Sequence, residues 1–225
     1  MLEARIIAEE LMDADDLDAT TYAAVVHDLA RVNTLTMARR PTIGFLKQLS
    51  GPLRILDVGY GDGDMLRRIA RWAAQSGRQV NLVGIDLNSH SALAAKEATP
   101  AALLIDFRTG DYADLANERW DVIISSLVAH HMAHHQLIDF LRFMDRRAKK
   151  GWFINDLHRH GFANHGFPLL AAIMRWHPIV RHDGQLSVGR SYRPAEWRPL
   201  LQEAGIEGAH VARRFPFRLC VSKVR

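Results

Sequence analysis

Ten residues limit what this chain can fold into more than any others: Ile55-Leu56-Asp57-Val58-Gly59-Tyr60-Gly61-Asp62-Gly63-Asp64. An apolar run ends in an acid, and glycines then fall at alternate positions. Met65 to Trp72 follows with helical spacing. A buried strand entering a tight turn and then a helix reads this way. Glycine permits positive φ and lets another molecule approach the backbone without a Cβ in the way. The free N–H groups at the helix start add partial positive charge at the same place. Such a crevice suits a nucleotide-like cofactor.

Spacing narrows the choice. The dinucleotide fingerprint is G-x-G-x-x-G, whereas this loop reads G-x-G-x-G with Asp64 at the sixth position. A phosphate-binding loop would need a closing Gly-Lys-Ser/Thr, which is missing here. An acid just before the loop makes a pyrophosphate a poor guest and a cationic amino-acid cofactor a better one. Asp57 is placed to attract its ammonium, through a water or the loop backbone.

Strands and helices alternate from Leu53 onward. Arg54–Val58 is the first strand, Asp64–Gln75 a helix and Val80–Asp86 the second strand, ending in another acid. Asp86 falls about twenty residues past the loop, where an open α/β sheet sets a carboxylate against ribose hydroxyls; both SAM and NAD supply such hydroxyls. The competing reading of Asp86 is a cap for the helix starting at Ser89. Leu103–Phe107 is the third strand, with Asp111 after it to accept from an adenine amine or simply to form an Asx turn. Trp120–Ser126 is the fourth, apolar enough for burial on both faces, and it brings Ser126 and Leu127 to the ligand end. A helix over Gln136–Lys149 leads to the fifth strand, Gly151–Asp156. An insertion from Leu157 to Arg193 holds an apolar helix, Phe167–Trp176, and a turn at His182-Asp183-Gly184-Gln185. A long segment there is a lid or substrate pocket. Pro194–Ala204 is a helix, and two strands joined near Pro216 close the sheet. Residues 1–50 read as a helical extension, with helices over Glu3–Met12, Tyr22–Ala30 behind an Asp18–Thr21 cap, and Thr42–Leu49. Nothing in it looks catalytic.

Composition sets outer bounds. The chain has 225 residues, 48% hydrophobic and 24% charged, enough for one α/β domain with a full core. No apolar run approaches the roughly 20 residues of a membrane span, and Met1–Glu10 lacks a signal-peptide pattern. One cysteine, Cys220, leaves no internal disulfide and fits a reducing cytoplasm. A net charge of +4 spread along the chain does not ask for nucleic acid.

The order of motifs resembles class I SAM-dependent methyltransferases: Asp57-Val58-Gly59-Tyr60-Gly61-Asp62-Gly63, Gly84-Ile85-Asp86, Gly110-Asp111-Tyr112, and Asp121-Val122-Ile123-Ile124-Ser125-Ser126. His130-His131, Asn155-Asp156-Leu157-His158-Arg159-His160 and Asp28-Leu29-Ala30-Arg31-Val32-Asn33 are similar to a bacterial group of small-molecule methyltransferases. That group is of the quinone-biosynthesis type and is often associated with polyketide or phenolic-lipid synthesis. Tyr60 stands where small residues are common. The resemblance implies a Rossmann-like fold, with a mostly parallel seven-stranded sheet, a C-terminal antiparallel hairpin and N-terminal helices. Residues 51–225 would form the methyltransferase domain and 157–193 its substrate lid.

The resemblance also implies S-adenosylmethionine as cofactor. Gly59, Gly61 and Gly63 would line its methionine, Asp86 its ribose, and Asp111 and Tyr112 its adenine, with Leu87 also among the cofactor-binding residues. Ser126 or Leu127 would face the sulfonium. The acceptor would be a phenolic or polyketide-like hydroxyl, with ring C-methylation or a non-catalytic SAM-binding module as alternatives. A homodimer would be compatible with either. Histidine, with an unperturbed pKa near 6.5, accepts a phenol proton at neutral pH. Among twelve histidines, His131 after the fourth strand and His158 after the fifth are the expected bases, and Arg159 would bind an anionic group or pair with Asp156. His130, His131, His134 and His135 have zinc-compatible spacing, but with no cysteine or acid nearby in sequence no metal is expected.

Overall fold

The computed structural model describes residues 4–14 and 17–225. Seven strands form one sheet: β1 (Leu53–Val58), β2 (Val80–Asp86), β3 (Ile105–Thr109), β4 (Trp120–Ser126), β5 (Ala148–Leu157), β6 (His210–Arg214) and β7 (Arg218–Val224). Their order is β3-β2-β1-β4-β5-β7-β6, parallel through β5, with β7 antiparallel to β5 and β6 antiparallel to β7. This is the expected Rossmann-like arrangement with its C-terminal hairpin. The order turns round between β1 and β4, and ligands of open α/β sheets lodge beyond the strand ends at that switch point.

Helices cover both faces of the sheet: α1 (Ala19–Leu35), α2 (Arg40–Leu46), α3 (Asp64–Gln75), α4 (Ser89–Ala98), α5 (His134–Arg147), α6 (Gly161–Ile173), α7 (Pro178–Arg190) and α8 (Pro194–Glu203). The α3 stripe of Met65, Leu66, Ile69, Trp72 and Ala73 packs with Ile55, Leu82 and Val122 in one core layer. Leu137, Phe140, Leu141 and Met144 of α5 pack with Leu56, Ile123, Trp152 and Trp197 in the other. A central strand buried on both sides must be apolar at successive positions, and Val122, Ile123 and Ile124 are each 0–1% exposed.

Three sequence expectations need correction. The helix over Glu3–Met12 does not form: Glu3 lies outside the described residues, Arg5–Glu10 runs without helix, and Leu11–Asp13 makes one 3-10 turn. Tertiary contacts override the local pattern, for the Ile6 N–H donates to Gly189 O at 3.1 Å and the Arg5 side chain to Arg190 O at 2.6 Å. The turn at His182–Gln185 is instead the middle of α7. A Cβ on Gly184 would collide with the Phe167 ring, so this glycine lets α6 and α7 approach. Finally, β3 begins at Ile105, because Pro100 to Leu103 closes a turn through Leu103 N–H to Pro100 O at 2.9 Å.

Candidate functional site

The loop after β1 takes its shape from glycine. Gly59 has φ 74°, and a Cβ there would strike the Val128 side chain. Gly63, at φ 76°, precedes the first turn of α3, and its N–H donates to Tyr60 O at 2.8 Å. Between them Gly61 has open space where a side chain would stand. The Gly61 N–H donates to Asp86 Oδ2 and the Asn88 N–H to Asp86 Oδ1, each at 2.9 Å. Asp86 therefore braces the loop against the end of β2 while lining the cavity beside it. Tyr60 does not block the mouth: its ring packs over Gly84, where a Cβ would lie 2.6 Å from the ring, and sits 5.1 Å from Phe107.

Asp57 is 1% exposed, and neither carboxylate oxygen has a hydrogen-bond partner among the described residues. Burial, and then the charges of Asp86 and Asp64, pushes its carboxyl well above the usual range. An unpaired buried carboxylate is costly, and its place beneath the loop is where a cationic guest would offset that cost. These features fit the methionine and ribose of S-adenosylmethionine: an open glycine edge, a braced carboxylate and a second carboxylate lacking a partner.

A cavity of about 490 Å³ opens from the loop across the ends of β1, β2 and β4. Asp57, Gly59, Gly61, Asp86, Leu87, Tyr112, Ser126 and Leu127 line it; Gly63 and Asp111 do not. Asp111 is exposed and accepts the Ala113 N–H at 2.8 Å, so its carboxylate shapes a turn. The Tyr112 ring packs 4.9 Å from both Phe140 and Phe143. Leu127 adopts φ 62°, uncommon for a branched residue, and its N–H donates to Asn155 O at 3.0 Å.

The other side of the cavity assembles distant segments. His130 is 2% exposed, with Nδ1 2.6 Å from Asp156 Oδ1, while its backbone N–H donates to Asp156 Oδ2 at 2.9 Å. Burial works against a charge on His130, but Asp156 and then Glu10 outweigh it and hold its pKa up to about 9. His131 also lines the cavity, with its side chain 27% exposed. Glu10, buried at 4%, places Oε1 3.6 Å from His130 Nε2 and 3.7 Å from His131 Nε2, and accepts from Ser187 Oγ at 2.8 Å.

Sequence reasoning missed Glu10 and the His130–Asp156 pair. Only the Asn155–Asp156 motif hinted at the pair, and no signal marked Glu10. His158 is absent from the cavity wall. It is buried, and burial followed by nearby cations, Arg213 first, pushes its pKa down to about 4. Arg159 pairs with Glu196 at 2.6 Å rather than with Asp156. His134 is on the surface, 2.9 Å from Glu203.

Residues 55–151 match the family model described as a methyltransferase domain. No curated protein matches the chain. Solved structures do share its fold. Human N-acetylserotonin methyltransferase in complex with SAM aligns with TM-score 0.67 at 16% identity, over 98% of this chain and 60% of that one. A SAM-dependent methyltransferase from Aquifex aeolicus aligns with TM-score 0.61 at 18% identity, over 92% and 98%. PigF with SAH aligns with TM-score 0.55 at 17% identity, over 76% and 50%, so this chain spans only half of that relative's length.

Proposed function

We propose that this chain, whose residues 55–151 match a methyltransferase-domain model, is a class I SAM-dependent methyltransferase that moves a methyl group from S-adenosylmethionine to a small-molecule hydroxyl, most simply a phenolic or polyketide-derived one. One observation supports this above others: the braced glycine loop and the His130–His131 edge open onto the same cavity of about 490 Å³, a volume ordinary for small ligands. The human relative is named for one such acceptor, N-acetylserotonin. The free, buried Cys220 suits a cytoplasmic setting.

When bound, S-adenosylmethionine supplies an electrophilic methyl carbon and a neutral thioether leaving group. In this reading Asp57 faces the ammonium beneath the loop and Asp86 accepts from the ribose hydroxyls. Tyr112 and Leu87, rather than Asp111, flank the adenine. Ser126 and Leu127 bound the space in which the acceptor meets the methyl group. His130, locked to Asp156, positions the edge. His131 takes the acceptor proton, and His158 is left a structural role. Aligning the two reactants accounts for most of the rate such a site needs, with proton removal adding about 10²–10⁴-fold.

Calorimetry with SAH tests the cofactor half. Asp86→Ala is expected to weaken binding by about 1–3 kcal/mol, the range for a lost charged hydrogen-bonding partner. Unchanged affinity would remove the ribose assignment. Mass spectrometry of phenolic acceptors with labelled S-adenosylmethionine tests the other half. His131→Ala should slow turnover while leaving SAH affinity near that of the parent, and full turnover in that variant would end its role as base.

A further inference from the structure

Three side chains from two distant segments converge in the cavity wall in a way that methyl transfer alone does not require. Glu10, His130 and His131 each offer a ligand atom within 4.8 Å of the others, and Glu10 Oε1 lies 3.6 Å from His130 Nε2 and 3.7 Å from His131 Nε2. Those gaps are too long for hydrogen bonds. They are a few tenths of an ångström longer than the roughly 3.4 Å between two ligands on a tetrahedral ion with bonds of 2.0–2.1 Å. His130 Nε2 is buried and has no hydrogen-bond partner among the described residues. A metal ion in that gap would take the place of the proton on this nitrogen and give it a partner.

The surroundings match what a ligating imidazole needs. His130 Nδ1 is tied to Asp156 at 2.6 Å. Asp156 is itself held by the N–H groups of His130 at 2.9 Å and Leu157 at 2.7 Å. A carboxylate behind a histidine fixes its ring and directs the far nitrogen at the metal. Two cations stand close by. Arg190 Nη1 is 3.8 Å from Glu10 Oε1, but it donates to Ala8 O at 2.7 Å, while Nη2 donates to His131 O at 3.2 Å. Arg5 Nη2 donates to His130 O at 3.1 Å. Both guanidiniums donate to backbone carbonyls and keep their charge, so Glu10 and Asp156 face these two cations as well as any ion bound between the imidazoles.

We propose that Glu10, His130 and His131 form a binding site for one divalent transition-metal ion of the zinc class, with its remaining coordination position open to the cavity. Two nitrogens and one oxygen favour zinc, cobalt or iron(II) over magnesium or calcium, which take oxygen ligands. Three protein ligands with one position open is the arrangement of catalytic rather than structural zinc. The site stands independently of the methyl-transfer reading. Where both hold, His131 is a ligand rather than the proton acceptor. The acceptor hydroxyl then releases its proton to water, and its oxygen lone pair forms the new O–C bond as the C–S bond breaks with its electron pair passing to sulfur.

Untagged protein dialysed against EDTA and titrated with ZnCl2 in a calorimeter is expected to bind one zinc per chain, and CoCl2 is expected to give the visible absorption of a four- or five-coordinate ion. Glu10→Gln and His131→Ala should each abolish that absorption and weaken zinc binding at least tenfold. Asp156→Asn should weaken it by about 10–100-fold. The exposed His134→Ala should leave it unchanged. Circular dichroism melts of each variant separate loss of the site from loss of the fold. Zinc binding unaltered by Glu10→Gln and His131→Ala in folded protein would overturn the proposal, as would no zinc binding by the parent. SAH calorimetry on the same EDTA-treated sample keeps the two readings apart: SAH binding without zinc binding sinks the metal site alone, and the reverse sinks the methyl-transfer reading alone.

Discussion

Asp57 is where the unliganded protein gives up stability for a guest. It is fully buried, no partner among the described residues reaches either oxygen, and its carboxyl is pushed well above the usual range by burial and then by Asp86 and Asp64. The sign of the linkage follows. A folded-state pKa above the unfolded value means that the native state holds its proton more tightly. Asp57 therefore favours folding below the unfolded pKa, near 3.9, and that contribution is lost as pH rises through the folded value. Asp57→Asn removes the titration. Without ligand the variant should gain on the parent as pH rises above about 4, near the unfolded pKa, while binding SAH more weakly. Urea melts across that range check it, and a constant difference would refute it. Asp57 was legible from sequence because strand, acid, turn and helix are contiguous there. Asp86 was legible for a similar reason, being set at a fixed distance by one βαβ unit. Glu10 was not, since it meets His130 and His131 only after the whole sheet has formed. The His130–Asp156 pair joins the ends of two neighbouring strands, and no local pattern states which of several histidines the acid will take.

Among the elements, the pair α6 and α7 shows how a residue type misleads when its reason is tertiary. Gly184 in a run of His-Asp-Gly-Gln reads as a turn, yet it sits in mid-helix against Phe167. Two substitutions on α7 separate close packing from propensity. Glycine to alanine inside a helix gains about 0.8–1.0 kcal/mol, whereas overpacking costs about 1–3 kcal/mol. At Gly184 the added carbon would meet a ring atom of Phe167 with two more within 2.8 Å, and a ring cannot bend away. At Gly189 it would meet the tip of Ile6, a side chain 37% exposed and free to turn. Gly184→Ala should therefore lower Tm, by about 2–4 °C for each net kcal/mol in a chain of this length, and Gly189→Ala should leave it level or slightly raised. A thermal melt that ranks them the other way would show that the helices part easily. The strands were easier to read: β1, β2 and β4 are apolar runs bounded by turn signals, and α3 has a clean stripe. The segment before Met12 failed for the opposite reason, because its Ile6, Ile7 and Leu11 spacing imitates a helix that tertiary hydrogen bonds forbid.

At the scale of the molecule, the N-terminal segment acts as a strap across the insertion, and it is what completes the cavity. Arg5 donates to Arg190 O, Tyr192 Oη and His130 O, at 2.6, 2.6 and 3.1 Å. Asp183 of α7 accepts the N–H groups of Leu11 and Met12 at 3.0 and 2.9 Å. Glu10 lies between these two anchors, so its position is inherited from them. None of these bonds touches the glycine loop or Asp86. Asp183→Ala should then separate the two halves of the site. Hydrogen exchange should show the Leu11 and Met12 amides losing protection while the Gly61 amide keeps its own, and SAH affinity should stay near that of the parent. Turnover with the acceptor should fall by up to about 10²-fold, since displacing a group by an ångström costs that much when alignment is the source of rate. If the amides open and turnover does not change, the strap is a cover and Glu10 has no part in the chemistry.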